Sequence, residues 1–198
     1  MVFRGEDLRC VRGGRVVFEG LSFALAPGAA LLLTGPNGSG KSSLLRLMAG
    51  LTRPDHGTIA WDAESIRDEP ESHAARLAYV GHLDAVKPAL TVRENLAQWG
   101  GAQIDAAIDR FNLDPRLPAR LLSAGQKRRL ALARLVARPA TLWLLDEPTV
   151  ALDRESVATL MAVIAAHRAN GGLCAISTNV DLALSDASAV DLMRFQAA

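Results

Sequence analysis

The residues from Gly35 to Ser43 read GPNGSGKSS and fit the spacing G-x-x-x-x-G-K-[S/T]. Glycines at these positions allow backbone N–H groups to converge on phosphate oxygens, and a lysine can then reach the β- and γ-phosphates of ATP. A glycine- and serine-rich turn before an ordinary helix could give a similar pattern, so the interpretation needs a second motif. If it holds, the expected phosphate contacts are Gly35, Pro36, Asn37, Gly38, Ser39, Gly40, Lys41, Ser42 and Ser43, with the Ser42 hydroxyl also a ligand of Mg²⁺.

The second motif is a pair of carboxylates, Asp146 and Glu147, directly after the apolar run Thr141 to Leu145. A carboxylate at the end of a buried strand can hold Mg²⁺ beside a phosphate loop, and the next acid can polarise an attacking water. We therefore predict Asp146 as a metal ligand and Glu147 as the general base. A solvated pair of acids at a strand end is the alternative, and the phosphate motif argues against it.

A third motif, LSAGQ, lies at the start of a predicted helix. Its Ser123, Gly125 and Gln126 offer a hydroxyl and backbone N–H groups to an anion, although Ser123 is also an ordinary N-cap residue. The basic residues that follow, Lys127 to Arg129, are expected to form a solvated helix face. This cluster is too short for a nucleic-acid surface, so nucleic acid is not an expected partner.

The composition is that of one globular domain: 198 residues, 49% apolar and 22% charged, with a formal charge of +1. Cys10 and Cys174 have no neighbouring cysteine or histidine at metal-ligand spacing, so we expect two small buried side chains in a reducing compartment. The longest apolar run is far shorter than the roughly 18 residues that span a bilayer. We therefore expect a cytosolic protein that does not insert into the membrane.

The hydrophobic pattern predicts an α/β fold. The runs Ala30 to Thr34 and Thr141 to Leu145 are continuously apolar, as strands buried on both faces of a parallel sheet are. Residues 15–28 alternate and end in Pro-Gly, which indicates an antiparallel β segment before that sheet. Residues 91–137 have helical spacing, and a last helix is predicted from Arg154 to Ala169 because two glycines follow it.

Four motifs in this order resemble those of the ATP-binding cassette ATPases: the phosphate loop, LSAGQ, LLDEP at Leu144 to Pro148 and ALD at Ala151 to Asp153. The resemblance implies a P-loop NTPase with a RecA-like parallel sheet core, an N-terminal antiparallel β subdomain and a helical insertion. It implies one domain over residues 1–198, with a nucleotide-binding core at about 1–81 and 139–198 and a helical subdomain at about 82–138. It also implies ATP hydrolysis with Mg²⁺.

In that family two cassettes pair head to tail, so the resemblance implies a homodimer. The LSAGQ residues Ser123 and Gly125 of one copy would then contact the γ-phosphate held by Lys41 of the other, and Gln126 is also expected to bind the nucleotide. Each ATP site would be complete only in the dimer.

Three positions depart from the family pattern. His82 stands where a glutamine usually senses Mg²⁺ and water, and a neutral imidazole could replace that amide. No aromatic ring lies near Arg12 to stack on adenine, so Arg12 itself is expected there, or Phe18 if the register is shifted. Asn179 follows Ser-Thr where the family has a histidine; its amide could still donate to the γ-phosphate, with slower hydrolysis.

Sequence features that are less specific than these motifs, among them LSAGQKRRLALARL, resemble those of the ATPase subunits of bacterial haem exporters used in cytochrome c maturation. That resemblance implies integral membrane permease subunits as partners and a peripheral location on the cytoplasmic face of the inner membrane. Two alternatives remain open. One is a cassette of another transporter, and the other is an ATP-dependent clamp or regulatory module with little turnover, which Asn179 favours.

Overall fold

A computed structural model describes residues 1–180, 182, 184 and 186–196 of the chain, so the predicted domain end at residue 198 lies outside the described residues. In chain order the strands are β1 Phe3–Arg12, β2 Arg15–Leu25, β3 Ala30–Thr34, β4 His56–Trp61, β5 Glu64–Ser65, β6 Leu77–Val80, β7 Leu142–Asp146, β8 Leu173–Ser177 and β9 Ser188–Asp191. The α-helices are α1 Lys41–Met48, α2 Pro70–Ala75, α3 Val92–Gln98, α4 Ile104–Arg110, α5 Ala124–Ala137 and α6 Arg154–Ala169. Short 3-10 turns cover Ala119–Leu121 and Leu192–Phe195.

The first sheet is antiparallel, with the strand order β2-β1-β4-β5. β1 and β2 form a hairpin that pairs Phe3 with Leu25 at one end and Arg12 with Arg15 at the other. Alternate apolar side chains of both strands are buried, as a sheet with one solvated face requires. The predicted antiparallel segment is therefore confirmed.

The second sheet is parallel, with the order β6-β7-β8-β3-β9 among the described residues. β3 has the predicted bounds, and β7 begins one residue later than predicted. Successive residues of β7 pack into two different apolar cores, Leu142 and Leu144 into one and Trp143 and Leu145 into the other. The sheet is thus covered on both faces, which confirms the predicted α/β fold with a parallel core.

Helices occupy the middle of the chain as predicted, with α3, α4 and α5 packed against one another. α5 begins with a capping box in which Ser123 and Gln126 exchange side-chain and backbone hydrogen bonds. α6 has the predicted bounds, and Gly171 after it adopts a left-handed φ of 82° that suits glycine.

The two cysteines are free and buried, as expected. Burial raises the pKa of Cys174 to about 12. Among the described residues, none of the helices is both long and apolar enough to cross a bilayer.

Candidate nucleotide-binding site

A cleft of about 460 Å³, which we call the central cleft, lies beside the carboxyl ends of β3 and β7. This edge of a parallel sheet is where ligands usually bind. A larger cavity of about 590 Å³, lined partly by Arg76 and His167, contains none of the predicted site residues. The central cleft contains most of them; its lining residues are Arg12, Val17, Asn37, Gly38, Gly40, Lys41, Ser42, Ser43, His82, Asp146 and Glu147.

The phosphate loop, residues 35–43, depends on its glycines. Gly35, Gly38 and Gly40 have φ values of 126°, 85° and 106°, which side-chain-bearing residues rarely adopt. A Cβ on Gly40 would lie 2.6 Å from Val17 Cγ1, so the loop also needs the missing side chain for its close approach to β2. The hydroxyl of Ser39 is buried and has no hydrogen-bond partner among the described residues, so it is available to a ligand or water.

Lys41 is the first residue of α1 and is 5% exposed. Its ammonium donates hydrogen bonds to the carbonyl oxygens of Gly35 (2.5 Å) and Pro36 (3.2 Å) and to Asn179 Oδ1 (2.9 Å). The cation is therefore held by three neutral oxygens, two from the phosphate loop and one from Asn179. A phosphate could replace them with charge-assisted hydrogen bonds, which are stronger.

The two acids at the end of β7 have different surroundings. Asp146 is 2% exposed, and its Oδ1 accepts a hydrogen bond of 2.5 Å from Ser177 Oγ. Glu147 adopts a left-handed φ of 46°, and its backbone N–H donates to both the carbonyl and the hydroxyl of Ser177. These contacts turn the chain sharply after Asp146, and both residues line the central cleft.

Asn179 connects the phosphate loop to Glu147 at the end of β7. Its Oδ1 accepts from Lys41, while its Nδ2 donates to Glu147 Oε1 at 2.8 Å and to Asn37 Oδ1 at 3.0 Å. One neutral amide therefore contacts the loop cation and the predicted base at once. The position predicted from the Ser-Thr-Asn sequence does lie beside these groups.

His82 and Arg12 come from distant parts of the sequence, and both line the central cleft. Both side chains are exposed. Phe18, the alternative to Arg12, is fully buried in the core. The suggestion that Phe18 stacks on adenine is wrong because consecutive strand residues point to opposite faces, so β2 turns Val17 toward the cleft instead. Sequence reasoning missed Val17, although that alternation could have revealed it.

Residues 18–150 match the ABC transporter family, which is more than half of the chain. The chain belongs to the ABC transporter family. The predicted ATP-binding cassette ATPase, with ATP as its nucleotide, is thereby confirmed.

Curated relatives match this chain over nearly its whole length. The chain is 55% identical to the cytochrome c biogenesis ATP-binding export protein CcmA of Rhodospirillum rubrum, over 98% of this chain and 87% of that protein. The CcmA protein of Paramagnetospirillum magneticum is 52% identical, over 99% of this chain and 96% of that protein.

Solved structures agree on the fold of the cassette. An ABC transporter ATP-binding protein from Pyrococcus furiosus superposes with a TM-score of 0.86 over 100% of both chains, at 22% identity. The ATP-binding subunit of another ABC transporter has a TM-score of 0.82 over 91% of this chain and 80% of that one, at 24% identity. At these identities the likeness concerns the fold alone.

The LSAGQ residues of the cassette lie outside the lining of the central cleft. Ser123 Oγ accepts from the Gln126 backbone, and the Gln126 side chain accepts from the Ser123 backbone. A Cβ on Gly125 would lie 2.9 Å from the carbonyl oxygen of Ala151, so glycine allows α5 to approach the ALD segment closely. Within one chain these predicted ligands do not meet the phosphate loop.

One prediction for the basic residues of α5 is wrong. Lys127 to Arg129 were expected to form a solvated face, but Arg128 is 4% exposed. Its guanidinium reaches the carbonyl oxygens of Asp146 and Glu147, both at 2.8 Å, and therefore touches the backbone of the site. A run of three basic residues carries no signal of this, because the contacts join segments far apart in the sequence.

Proposed function

We propose that the protein is the ATP-hydrolysing subunit of a membrane export complex that serves cytochrome c biogenesis, with haem as the exported molecule. The hydrolytic role rests on one observation: the phosphate-loop cation Lys41 and the acid Glu147 line the same central cleft. The export role is supported by the CcmA relatives, which match the chain over nearly its full length. Haem comes from the sequence resemblance to haem exporters.

In the proposed site, ATP phosphates contact the loop from Gly35 to Ser43 and its Lys41, and Arg12 lies on the adenine side. Glu147 takes a proton from the attacking water, which is the task of a general base. His82 lines the same cleft, where its imidazole can hold that water. Val17 offers an apolar surface beside Arg12 to the nucleotide.

The donor set of the central cleft fits Mg²⁺. The Ser42 hydroxyl and the Asp146 carboxylate both line it, and Mg²⁺ prefers such oxygen ligands, usually one or two from protein with the rest from phosphate and water. Bound there, the ion would neutralise charge on the phosphate oxygens during transfer. We propose Ser42 and Asp146 as its protein ligands.

We further propose a head-to-tail homodimer of cassettes. Ser123 is the exposed N-cap of α5, and Gly125 and Gln126 are partly exposed in its first turn. None of the three lines the central cleft of its own chain, which leaves them available to the nucleotide of a second chain. In this arrangement residues at about 1–81 and 139–198 would form the nucleotide-binding core, and residues at about 82–138 would form the helical subdomain.

The dimer and the base can be tested together with Glu147→Gln. The amide keeps the size of the side chain but cannot take a proton, so hydrolysis should slow by about two to four orders of magnitude while ATP binding persists. Light scattering should then find an ATP-dependent dimer. A variant that stays monomeric at saturating ATP would contradict the head-to-tail arrangement.

The proposed partners are integral membrane permease subunits, which would hold the cassette peripherally at the cytoplasmic face of the bacterial inner membrane. Purification of the tagged chain from detergent-solubilised membranes should recover these subunits in fixed stoichiometry, and haem export by the complex should require ATP. Recovery of permeases for a different molecule would instead support a cassette of another transporter.

An ATP-dependent clamp with little turnover is the second candidate. It is favoured by Asn179, a residue that cannot carry a charge, at a position in contact with Glu147. Steady-state ATP hydrolysis with and without the membrane partner separates the two functions. A transport ATPase should be stimulated by its partner, whereas a clamp should bind ATP and dimerise with negligible turnover in both conditions.

A further inference from the structure

Arg128 is an arginine of α5 whose contacts none of the sequence motifs explains. Its side chain is 5% exposed, and within the described part of the chain its guanidinium makes five hydrogen bonds. Guanidinium has five N–H donors in a flat fork, so this side chain uses its full donor capacity. Such a group is fixed in position more firmly than a surface arginine.

The acceptors belong to two segments of the central cleft. At the end of β7 they are the carbonyl oxygens of Asp146 (2.8 Å), Glu147 (2.8 Å) and Pro148 (3.3 Å). In the segment after β6 they are the carbonyl oxygen of Gly81 and Asp84 Oδ1, both at 3.0 Å. These two segments carry the proposed base Glu147 and the cleft residue His82.

The Glu147 backbone needs support from outside its own turn. Its left-handed φ of 46° is unfavourable for a residue with a side chain, so neighbouring groups must hold it. Ser177 holds its N–H side through two hydrogen bonds, and Arg128 holds its carbonyl side. The direction of the Glu147 carboxylate therefore depends on both neighbours.

We propose that Arg128 is a positioning residue for ATP hydrolysis, joining the LSAGQ helix α5 to the Glu147 turn and to the His82 segment. The inference rests on the proposed hydrolytic function and adds the contact that aligns the base. Arg128 lies five residues after Ser123, the N-cap of α5, which is about 7.5 Å along the helix axis at 1.5 Å per residue. A movement of the LSAGQ end of this helix is therefore transmitted to the base and to His82 through one rigid side chain.

The central variant is Arg128→Lys, studied in the complete membrane complex. Lysine keeps the positive charge but has three donors on one atom, so it cannot reach both segments as the flat fork does. We expect kcat to fall about tenfold or more, because the base is no longer aligned, and we expect the ATP dissociation constant to change by less than about threefold. The phosphate loop makes none of the five contacts, which is why binding should persist.

The matched control is Arg134→Lys. Arg134 is also on α5, where its guanidinium bonds to the Tyr79 carbonyl and lies over the Trp99 ring, at 5.2 Å from the ring centroid, and it does not line the central cleft. Burial and the nearby charge of Arg128 lower its pKa to about 10. Because it is a half-buried guanidinium on the same helix, its replacement reports the general cost of such a substitution. We expect a lower melting temperature and a kcat within about twofold of wild type.

A double-substitution cycle distinguishes alignment of the base from a structural role. If Arg128 acts through Glu147, then adding Arg128→Lys to the Glu147→Gln variant should lower the kcat of that variant by less than about twofold, because the base is already removed. If Arg128→Lys does not fold, Asp84→Asn replaces it, since that change weakens one of the five bonds while retaining the shape. Asp84→Asn should lower kcat about two- to fivefold with unchanged ATP affinity.

The outcomes separate this inference from the proposed function. A wild-type complex without Glu147-dependent hydrolysis would overturn both. With an active wild type, the inference alone fails if Arg128→Lys (or Asp84→Asn in its place) leaves kcat unchanged, if Arg134→Lys lowers kcat as much, or if the loss is fully additive with Glu147→Gln. A selective and non-additive loss of kcat supports it.

Discussion

Replacing Asn179 tests whether a neutral amide can serve at the γ-phosphate position. In the structure this side chain makes hydrogen bonds to Lys41, Glu147 and Asn37, two of which involve charged groups. Hydrogen bonds to charged groups contribute about 1.5–3 kcal/mol to stability. Because Asn179 is exposed and solvent weakens its bonds, we take a value just below that range, about 1.4 kcal/mol, for the bond that orients Glu147. This corresponds to about a tenfold slower turnover for Asn179→Ala.

Two further variants test what the Asn179 amide contributes to hydrolysis. Asn179→Asp keeps an acceptor for Lys41 but turns a carboxylate toward Glu147, so it should be at least as slow as alanine. Asn179→His should raise turnover, because a longer ring that can carry charge makes a stronger bond to the transferring phosphoryl group, and bonds that strengthen in the transition state raise the rate.

The assay is single-turnover hydrolysis at saturating Mg-ATP, with the membrane partner present. The rival view is that position 179 has no chemical role and that His82 or the partner replaces it. It predicts that all three variants stay within about twofold of wild type, a barrier difference of only ~0.4 kcal/mol. Such a flat series would refute our reasoning and leave Asn179 as a structural residue at the end of β8.

Three other predictions concern binding and stability. Lys41→Ala should abolish tight Mg-ATP binding, because the phosphates lose a charge-assisted partner; near-normal affinity in a fluorescent-nucleotide titration would contradict the phosphate-loop assignment. Burial lowers the pKa of His73 from 6.5, so below about pH 6.5 the unfolded chain takes up the proton more readily and the free energy of unfolding falls. Melting curves between about pH 5 and 8 should therefore show a weaker acid loss for His73→Gln, and parallel curves would refute this. Cys174, with its pKa raised to about 12, should resist alkylation in the native protein and react after denaturation, as mass spectrometry can measure.

Local pattern determined much of this protein. The run Ala30 to Thr34 specifies a strand buried on both faces, because consecutive apolar residues make both faces of the strand apolar. The glycines after it specify a loop whose φ values other residues rarely adopt. The bounds of α6 followed from its spacing and the glycines after it. These features depend on residues a few positions apart, so the sequence alone contains them.

Tertiary structure decided the contacts that join distant segments. A basic triplet in a helix reads as solvated, and only the packing of α5 against the end of β7 shows that Arg128 is buried among carbonyl oxygens. Likewise, the sequence suggested a role for Asn179, but its simultaneous bonds to Lys41 and Glu147 cross 138 and 32 positions of the chain. The register of β2 against the phosphate loop decided that Val17, and not Phe18, faces the cleft. Such contacts depend on where whole elements lie in space, and no local pattern of residue types encodes that placement.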